Sequence, residues 1–439
     1  MEEESEPKQS TWANIPEVCL RHIFQCLDDK DRAQAAMVCK KWSNAMNSGS
    51  LWRSRTITFH GNPSEAHKLK FQSALWYTKK YGKYLEALEI SIVNLCSSNA
   101  TQKFQRTMSN LFSHLRKCNH RLAFLTIRYL ELDRAIWRNR FRRSFIKTLA
   151  FFLKKMSKHL DYLNLKEARL SLEDGCELLD SLSYLTNKSS VTEINIEDFF
   201  HTHLPVYRST IFHQTMSKFC SLVVLTFNYN CISDELLNAL RVHCAHSLST
   251  LNIKCHIHDP HQQVVRGMSW GNLAKRVPKL KVNFHFERVL KYSRLARILQ
   301  VEIPVSSIRL RSSCFSDPEW TIRPTLTILL PFYQHVLQRL ILKLNNGHEV
   351  LDNELLQLVL SCKRLLFLKV WAFLSVTFME RLLQNRAERK CILTTIQFRI
   401  YTAQERASRE HQLLSEISRK YKELIDSELD YFAVIYPTV

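Results

Sequence analysis

A short motif of alternating apolar residues recurs eleven times in this chain and constrains its fold more than any other feature. Each copy reads L-x-x-L-x-L or a close variant, and successive copies start about 25 to 38 residues apart. Such alternation predicts a half-buried strand, and several copies precede helical stretches such as SDELLNALRVHC. One strand with one helix cannot bury its apolar side alone, so the units must stack. The copies begin at residues 85, 122, 160, 191, 222, 248, 280, 305, 337, 365 and 393, and RTITF at 55–59 precedes them.

The repeated unit resembles a degenerate leucine-rich repeat. The clearest copy fits that template at Leu222, Leu225, Phe227, Asn230 and Ile232. The Asn230 side chain is expected to satisfy backbone groups where the chain turns, although other copies lack this asparagine. An open βαβ sheet is the competing arrangement, but eleven strands exceed what strongly twisted open sheets usually hold. The pattern therefore favours a right-handed, leucine-rich-repeat-like α/β solenoid with parallel strands over residues 56–402.

The last segment is expected to cap this solenoid with a helix. Residues 403–432, AQERASREHQLLSEISRKYKELIDSELDYF, have apolar residues at helical spacing. The residues expected to face inward are Leu413, Leu414, Ile417, Tyr421, Leu424, Ile425 and Leu429. Residues 403–439 are therefore predicted to be a C-terminal helix and cap.

The N-terminal region carries three short helical patterns after an acidic segment, 1–11, that is expected to be disordered. Pro16 and Glu17 suit a first helical turn, and an apolar stripe follows at Leu20, Ile23, Phe24 and Leu27. A second helix, capped by Asp29 or Asp31, is predicted to place one apolar stripe at Ala35, Val38, Cys39, Trp42, Ala45 and Met46. It ends near Asn47 and Gly49. Ser50 can cap a third turn bearing Leu51 and Trp52.

These helices display more apolar surface than so small a unit can bury. Burying a tryptophan removes up to about 250 Å² from water, roughly 6 kcal/mol of transfer free energy. A unit of about 45 residues has little interior, so we expect something else to cover Trp42 and Trp52. That cover is either a second polypeptide or, more simply, the downstream domain, for which these helices would be an N-terminal cap.

The order of these residues favours the second polypeptide, because residues 12–55 closely resemble an F-box. Pro16 matches the proline of the family, Val38-Cys39 and Trp42 match its second-helix signature, and Leu51-Trp52 match its closing pair. Ile15 and Arg32 stand where the family usually has leucine, and Arg32 puts the strength of docking in question. The resemblance implies that the following residues bind a Skp-type adaptor: Ile15, Pro16, Ile23, Phe24, Leu27, Val38, Cys39, Trp42, Leu51 and Trp52.

An F-box followed by leucine-rich repeats resembles the substrate receptors of SCF (Skp, cullin, F-box) ubiquitin ligases. The resemblance implies a non-catalytic subunit that contacts the adaptor and, through it, the cullin scaffold and RING subunit. Two alternatives remain: a basic nucleic-acid-binding repeat protein whose N-terminal helices merely cap it, and an F-box protein that binds the adaptor without assembling a ligase.

Composition limits the other function classes. The 62 Lys and Arg residues against 41 Asp and Glu residues give a net charge of +21, which favours acidic partners. Only 7 glycines are present, and we find no phosphate-binding glycine loop, nucleophile elbow or H-E-x-x-H motif, so no enzymatic activity and no cofactor are predicted.

The cysteines and the lack of targeting signals bear on the compartment. The sequence has thirteen cysteines without a CxxC pair, and we find no secretory signal and no apolar run of about 18 residues. We therefore predict a cytoplasmic or nuclear protein without a membrane segment.

Two other segments have simple structural interpretations. In KCHIHDPH, Cys255, His256, His258, Asp259 and His261 are ligand types that zinc accepts, but adjacent strand residues point to opposite faces, so we favour an ordinary loop and predict no metal. The basic run 138–155, RNRFRRSFIKTLAFFLKK, is interpreted as a repeat helix with a solvated face, and nucleic acid as a partner is disfavoured.

The residues that flank the buried leucines of each strand are expected to line the concave surface of the solenoid. Either they form a solvated face or they bind an acidic or phosphorylated protein segment, since arginine can bind phosphate with two hydrogen bonds. The candidates are Tyr229, Lys254, Arg309, Arg311, Arg339, Lys343, Lys369, Trp371 and Arg399.

Overall fold

A computed structural model describes residues 12, 15–61, 65–183, 189–289, 291–312, 321–347 and 349–438. The predicted disordered segment, 1–11, lies outside the described residues. The chain divides into two compact units, Met1–Asn164 and Leu165–Val439. The domain boundaries drawn from the sequence, at residues 12, 56 and 403, stay predictions.

The first unit combines a helical start with four parallel strands. Strands β1 to β4 pair in sequence order, and each pair is joined through a crossover that contains a helix. Its elements are α1 (Glu17–Gln25), α2 (Asp29–Val38), α3 (Lys40–Met46), a 3₁₀ turn (Gly49–Trp52), β1 (Ser54–His60), α4 (Glu65–Tyr81), a 3₁₀ turn (Gly82–Tyr84), β2 (Ala87–Val93), α5 (Ser98–Cys118), β3 (Phe124–Arg128), α6 (Asn139–Met156) and β4 (Tyr162–Asn164).

The second predicted helix of the N-terminal region is in fact two helices. Cys39 has an extended backbone (φ −159°, ψ 165°), and its sulfur accepts a hydrogen bond from the Trp42 amide at 3.5 Å, which caps α3. Asp28, rather than Asp29 or Asp31, caps α2 by accepting from the Asp31 amide at 2.8 Å. The break rotates α2 relative to the continuous helix that the sequence predicts, so Val38 is exposed instead of lying on the buried stripe.

The second unit is a longer run of parallel strands. Each strand from β5 to β13 pairs in parallel with the next one in sequence. The helices and strands are β5 (Glu193–Ile196), β6 (Val224–Asn228), β7 (Thr250–His256), β8 (Lys281–Glu287), β9 (Val305–Arg311), β10 (Arg339–Lys343), β11 (Phe367–Ala372), β12 (Thr395–Ala403) and β13 (Asp430–Thr438), with α7 (Leu172–Asp180), α8 (Thr210–Met216), α9 (Asp234–His243), α10 (Gly267–Arg276), α11 (Tyr292–Ile298), α12 (Asp352–Ser361), α13 (Val376–Ala387), α14 (Gln404–Lys420) and α15 (Lys422–Glu428).

This order of parallel strands, each followed by a crossover, is the arrangement of an open α/β solenoid and confirms the predicted fold class. All eleven strands predicted from the repeated motif are present, as is the strand at 55–59. Their alternate residues are buried, as in β7, where Leu251, Ile253 and Cys255 face the core. Within the described ranges, no helix is long and apolar enough to cross a membrane.

Buried asparagines hold the turns between repeats. The Asn230 amide donates to the Leu204 carbonyl at 3.1 Å, as the repeat template predicts. Asn119 and Asn346 also donate to backbone carbonyls, from fully buried positions that the sequence pattern did not identify. Asn119 donates to the carbonyls of Gly82 and Leu85, at 2.6 and 2.8 Å. Polar groups buried this way must be satisfied, so each asparagine ties one repeat to its neighbour.

The prediction of one helix over 403–432 is wrong. The segment forms α14 and α15 and then β13, which pairs with β12 over nine positions from Thr395↔Asp430 to Ala403↔Thr438. Of the seven residues expected to face inward, only Leu414 and Ile417 are buried. The reason is that DYFAVIYP is rich in β-branched and aromatic residues, which favour a strand when a partner edge is available.

Candidate functional surfaces

The N-terminal helices form a small core of their own. Leu20 and Phe24 of α1 meet Ala45 and Met46 of α3 in this core, where all four are buried. The half-buried Trp42 ring packs edge-on against Phe24, with ring centroids 5.3 Å apart. Phe24 and Leu51, both predicted to bind an adaptor, are buried and therefore act as the support beneath any surface here.

The chain itself covers Trp52 from its downstream part, which is the simpler of the two alternatives for that indole, whereas the family resemblance favoured a second polypeptide for both. Tyr81 of α4 stacks on the Trp52 ring at a centroid distance of 4.4 Å, and Tyr77 meets its edge at 5.7 Å. The indole nitrogen donates to the Met46 carbonyl at 2.8 Å. Because α4 lies outside the predicted 12–55 segment, the sequence pattern of that segment could not reveal this cover.

Arg32, the departure from the family pattern, is bound internally. Its guanidinium donates to the carbonyls of Phe24, Gln25 and Leu51 at 3.0 to 3.1 Å, and it lies 5.5 Å from the Trp52 ring centroid. A cation at the last carbonyls of α1 also complements the helix dipole. Arg32 thus joins α1 to the turn at 49–52.

Several large apolar side chains stay exposed on α1 and α2. Val18 is 55% exposed, Ile23 42%, Met37 78% and Val38 62%, all high values for large apolar side chains. Of the other predicted adaptor residues, Pro16 and Cys39 are exposed, and Ile15, Leu27, Trp42 and Trp52 are half-buried. Val18 and Met37 were missed because neither belongs to the quoted F-box signature. We call Val18, Ile23, Met37 and Val38 the apolar patch.

A second candidate surface lies on strands β9 to β12, whose charged residues are all basic. None of these four strands contains an Asp or Glu. Arg311, Lys343, Trp371 and Arg399 occupy paired positions on the four strands and form one row across them. Neighbouring strands are about 4.8 Å apart, so Lys343 and Arg399 flank Trp371 on its two sides.

Three cations of these strands surround the Trp371 ring. The Lys343 nitrogen lies 3.6 Å from its centroid, the Arg399 guanidinium carbon 4.4 Å and the Lys369 nitrogen 5.1 Å. Partial burial lowers the pKa of Lys343, and the charges of Lys369, Arg311, Arg309 and Arg399 lower it further. Arg311 is paired with Glu287, nitrogen to oxygen 3.4 Å, but the other cations repel one another, so positive potential accumulates around Trp371 and would attract an anion.

A groove of about 550 Å³ crosses the same face of the strands. Arg309 and Arg339 line it together with His285 and Phe367, and the Arg339 guanidinium carbon lies 3.7 Å from the Phe367 ring centroid. Burial, and secondarily Arg309, lowers the pKa of His285 to about 4, so this imidazole is neutral at pH 7. We call the residues Arg309, Arg311, Arg339, Lys343, Lys369, Trp371 and Arg399 the basic strand surface.

Two residues predicted to belong to the substrate surface do not lie open. Tyr229 is buried in a 3₁₀ turn beyond the end of β6, where its carbonyl accepts from Gln263 at 2.7 Å. Lys254 is held by Asp198, Glu197 and Glu287, with nitrogen to oxygen distances of 2.5, 3.4 and 3.4 Å. Burial opposes the charged ammonium of Lys254, but these three carboxylates outweigh it and raise its pKa.

The KCHIHDPH segment is divided between core and surface. Cys255 is fully buried on the inner face of β7, and Asp259 accepts a hydrogen bond from Asn228 at 2.8 Å. Burial, followed by the charge of Arg294, lowers the pKa of His261 to about 4. Within the described part of the chain, no group of three His, Cys, Asp or Glu residues could hold a metal ion.

Comparison with known families agrees with this N-terminal geometry. The family described as F-box-like matches residues 12–58. Residues 12–58 therefore form an F-box-like domain, which parallel-strand repeats follow. F-box/LRR-repeat protein 21 of Ovis aries is 23% identical over 365 residues, which cover 81% of this chain and 75% of the relative. The Bos taurus protein of the same name is 24% identical over the same shares, and that of Mus musculus is 22% identical over 63% of this chain and 59% of its own length.

One solved structure spans most of this chain. A chain from the crystal structure of the Rad7 and Elc1 complex in yeast covers 89% of this chain and 90% of its own length, at 13% identity and a TM-score of 0.35. The closer resemblance of stretches such as YLELDRAIWRN to F-box only protein 39 is not confirmed by these comparisons. The F-box and the F-box/LRR relatives support, in general terms, a substrate-receptor role in an SCF ligase.

Proposed function

We propose that this F-box protein is a substrate-recognition subunit of an SCF ubiquitin ligase. Its F-box would dock on a Skp-type adaptor, which connects it to the cullin scaffold and RING subunit, in the cytoplasm or nucleus. Proteins of the F-box/LRR kind are generally non-catalytic subunits, and we propose the same here. The observation that carries this proposal is the apolar patch, which lies within the residues that match the F-box.

Capture of a purified Skp-type adaptor by the full chain tests the proposal. Ile23→Asp with Val38→Asp places two carboxylates on the patch, and we expect adaptor binding at least about tenfold weaker, since burying unpaired charge is costly. These exposed residues suit the test better than Trp42, whose ring packs on Phe24.

Val242→Asp is the matched control, because Val242 is 56% exposed on α9, away from the F-box residues. Circular dichroism and melting temperature should be the same for all three proteins. Equal capture by the patch variant and the control would contradict the proposal, and failure of the unmodified chain to bind any adaptor would favour the nucleic-acid-binding repeat protein. Capture without a co-purifying cullin would instead indicate an F-box protein that assembles no ligase.

We propose further that the basic strand surface binds an acidic or phosphorylated segment of the protein to be ubiquitinated. Its six cationic side chains come from strands without any acidic residue. Trp371 supplies a large anchor of the kind that dominates interface energetics. Arginine forks at positions 309, 339 and 399 suit phosphate, which accepts paired hydrogen bonds.

A library of peptides carrying phosphoserine, serine or glutamate at a fixed position tests this surface and requires no identified substrate. We expect phosphorylated and acidic members to bind, and Arg309→Gln with Arg339→Gln and Arg399→Gln to weaken them at least about tenfold. The control, Lys275→Gln with Arg276→Gln and Lys279→Gln, removes the same charge from exposed positions at the end of α10. Equal losses in the two variants would show that only net charge matters and would reject the surface.

A further inference from the structure

The first unit brings together two helices, α5 and α6, that contain no acidic residue. Helix α5 has four Lys or Arg residues and α6 has six, and neither has an Asp or Glu. The two helices pack through their apolar faces, where Phe112 of α5 stacks on Phe152 of α6 at 4.4 Å. The sequence interprets the α6 run alone as a solvated face, whereas the fold adds the four basic residues of α5 to the six of α6 by packing the two helices side by side.

An open groove of about 920 Å³ runs between these helices on their outer side. From α6, Arg140, Arg143 and Lys147 line one side at i, i+3 and i+7 spacing, so they follow one another along the groove. All three are exposed, and none forms an ion pair with any residue that the structure describes. Their mutual repulsion is therefore relieved by solvent ions or by an anionic ligand.

Hydroxyl groups also line the groove, at Ser109, Ser113, Ser144 and Thr148. The Gln105 amide nitrogen donates to the hydroxyl oxygens of Ser109 at 3.1 Å and Ser144 at 3.0 Å, which joins the two helices. Because these oxygens accept, their own protons are directed elsewhere, and within the described hydrogen bonds Ser144 has no acceptor. Such hydroxyls can donate to phosphate oxygens or pair with a ribose 2′-hydroxyl, which both donates and accepts.

A planar pair closes one end of the groove. Phe151 is 55% exposed, and the Arg116 guanidinium lies over its ring at 4.0 Å from the centroid. Guanidinium and aromatic planes are the surfaces on which unpaired bases stack. An amphipathic helix would need a row of apolar anchors, but Phe151 is the only apolar side chain that lines this groove among the described residues.

We propose that the groove between α5 and α6 binds single-stranded RNA, with Arg140, Arg143 and Lys147 on the phosphates and the Arg116–Phe151 pair stacking one base. From Arg140 to Phe151 the helix rises about 16 Å, enough for a few nucleotides. This site is separate from both surfaces of the proposed ubiquitin-ligase role and does not depend on it.

Fluorescence anisotropy of the full chain with a labelled oligouridylate, over about 50 to 200 mM salt, tests the site. Each phosphate contact on a single strand contributes about 0.7 to the slope of log affinity against log salt. Arg140→Gln with Arg143→Gln and Lys147→Gln should therefore reduce that slope by about 2 and weaken binding at least about tenfold. Phe151→Ala removes no charge, so it should weaken binding roughly fivefold or more and leave the slope unchanged.

The matched control is again Lys275→Gln with Arg276→Gln and Lys279→Gln, which should keep the unmodified slope. The same slope change in both triple variants would overturn the site, because only net charge would then matter. Equal affinity for oligothymidylate would overturn the assignment to RNA, and tighter binding of polyglutamate or of vesicles rich in anionic lipid would assign the groove to those ligands instead.

Discussion

Arg32 shows how a single residue can depart from a family pattern and still support the fold. Leucine at this position would fill space, whereas Arg32 donates to three backbone carbonyls at the end of α1 and in the turn at 49–52. A charge-assisted hydrogen bond is stronger than a neutral one. The charge is turned inward, and so its presence does not place a cation on the apolar patch.

Removing this side chain should loosen the F-box without unfolding the rest of the chain. We expect Arg32→Ala to lower the local stability of residues 15–52 by about 2 kcal/mol, because two or three backbone acceptors lose a charged donor. Hydrogen exchange measured by mass spectrometry should then be roughly thirtyfold faster for amides of α1 and α3. Lys30→Ala, an exposed position on the same helix, serves as the comparison, and the same acceleration there would refute the role given to Arg32.

Buried asparagines illustrate the limit of sequence reasoning at this scale. Asn230 lies at the template position, so its role could be predicted, but Asn119 and Asn346 lie outside the motif register. The Asn346 amide links the carbonyls of Glu349 and Phe373, and its oxygen accepts from the Phe373 amide. Which backbone groups need a partner is decided by how successive repeats meet, and the residue type alone does not encode that.

At the scale of elements, the strands were the most predictable part. Their period-2 pattern is local, and every predicted strand is present because each one buries alternate residues against its neighbours. The ends of the helices were harder to predict from the sequence. Val38, Cys39 and Trp42 fit one continuous helical stripe, yet Cys39 is extended and caps α3, which turns Val38 toward solvent.

The missed strand β13 should contribute stability through its inward residue. Ile435 is 6% exposed and pairs with Ile400 of β12, so Ile435→Ala should cost about 2 kcal/mol and speed hydrogen exchange in β12. Phe432→Ala removes a larger but 52% exposed side chain from the same strand and should cost less than about 0.5 kcal/mol. If the two substitutions had equal effects on β12, the inward packing of β13 would be disproved.

At the scale of the whole molecule, two histidines that are neutral in the fold, the buried His261 and the half-buried His285, should make it sensitive to acid. Burial is the main reason that the pKa values of His261 and His285 fall to about 4, against about 6.5 in an unfolded chain. Between pH 6.5 and pH 4 the unfolded chain therefore binds more protons than the folded one. The free energy of unfolding should fall as the pH drops through this window, by about 1 to 2 kcal/mol for each histidine at pH 5.

Urea unfolding at pH 7 and pH 5 measures this effect. In the double variant His261→Gln with His285→Gln, the difference in unfolding free energy between pH 7 and pH 5 should shrink by about 2 kcal/mol or more, since glutamine does not titrate. His243→Gln, at an exposed position on α9, should retain the full dependence. An unchanged difference between the two pH values in the double variant would assign the acid sensitivity to other groups.

The sequence by itself determined the repeated strand, the parallel solenoid and the F-box motif, because each depends on the local spacing of apolar residues along a few turns or one strand.

Only the tertiary structure decided which apolar side chains stay exposed. Tyr77 and Tyr81 cover Trp52 from a helix outside the motif, while Val18 and Met37 remain open. Likewise, Lys254 became an internal ion-pair partner, and α5 and α6 became one acid-free surface. Burial and net charge density are sums over neighbours distant in sequence, so they exist only once the chain has folded.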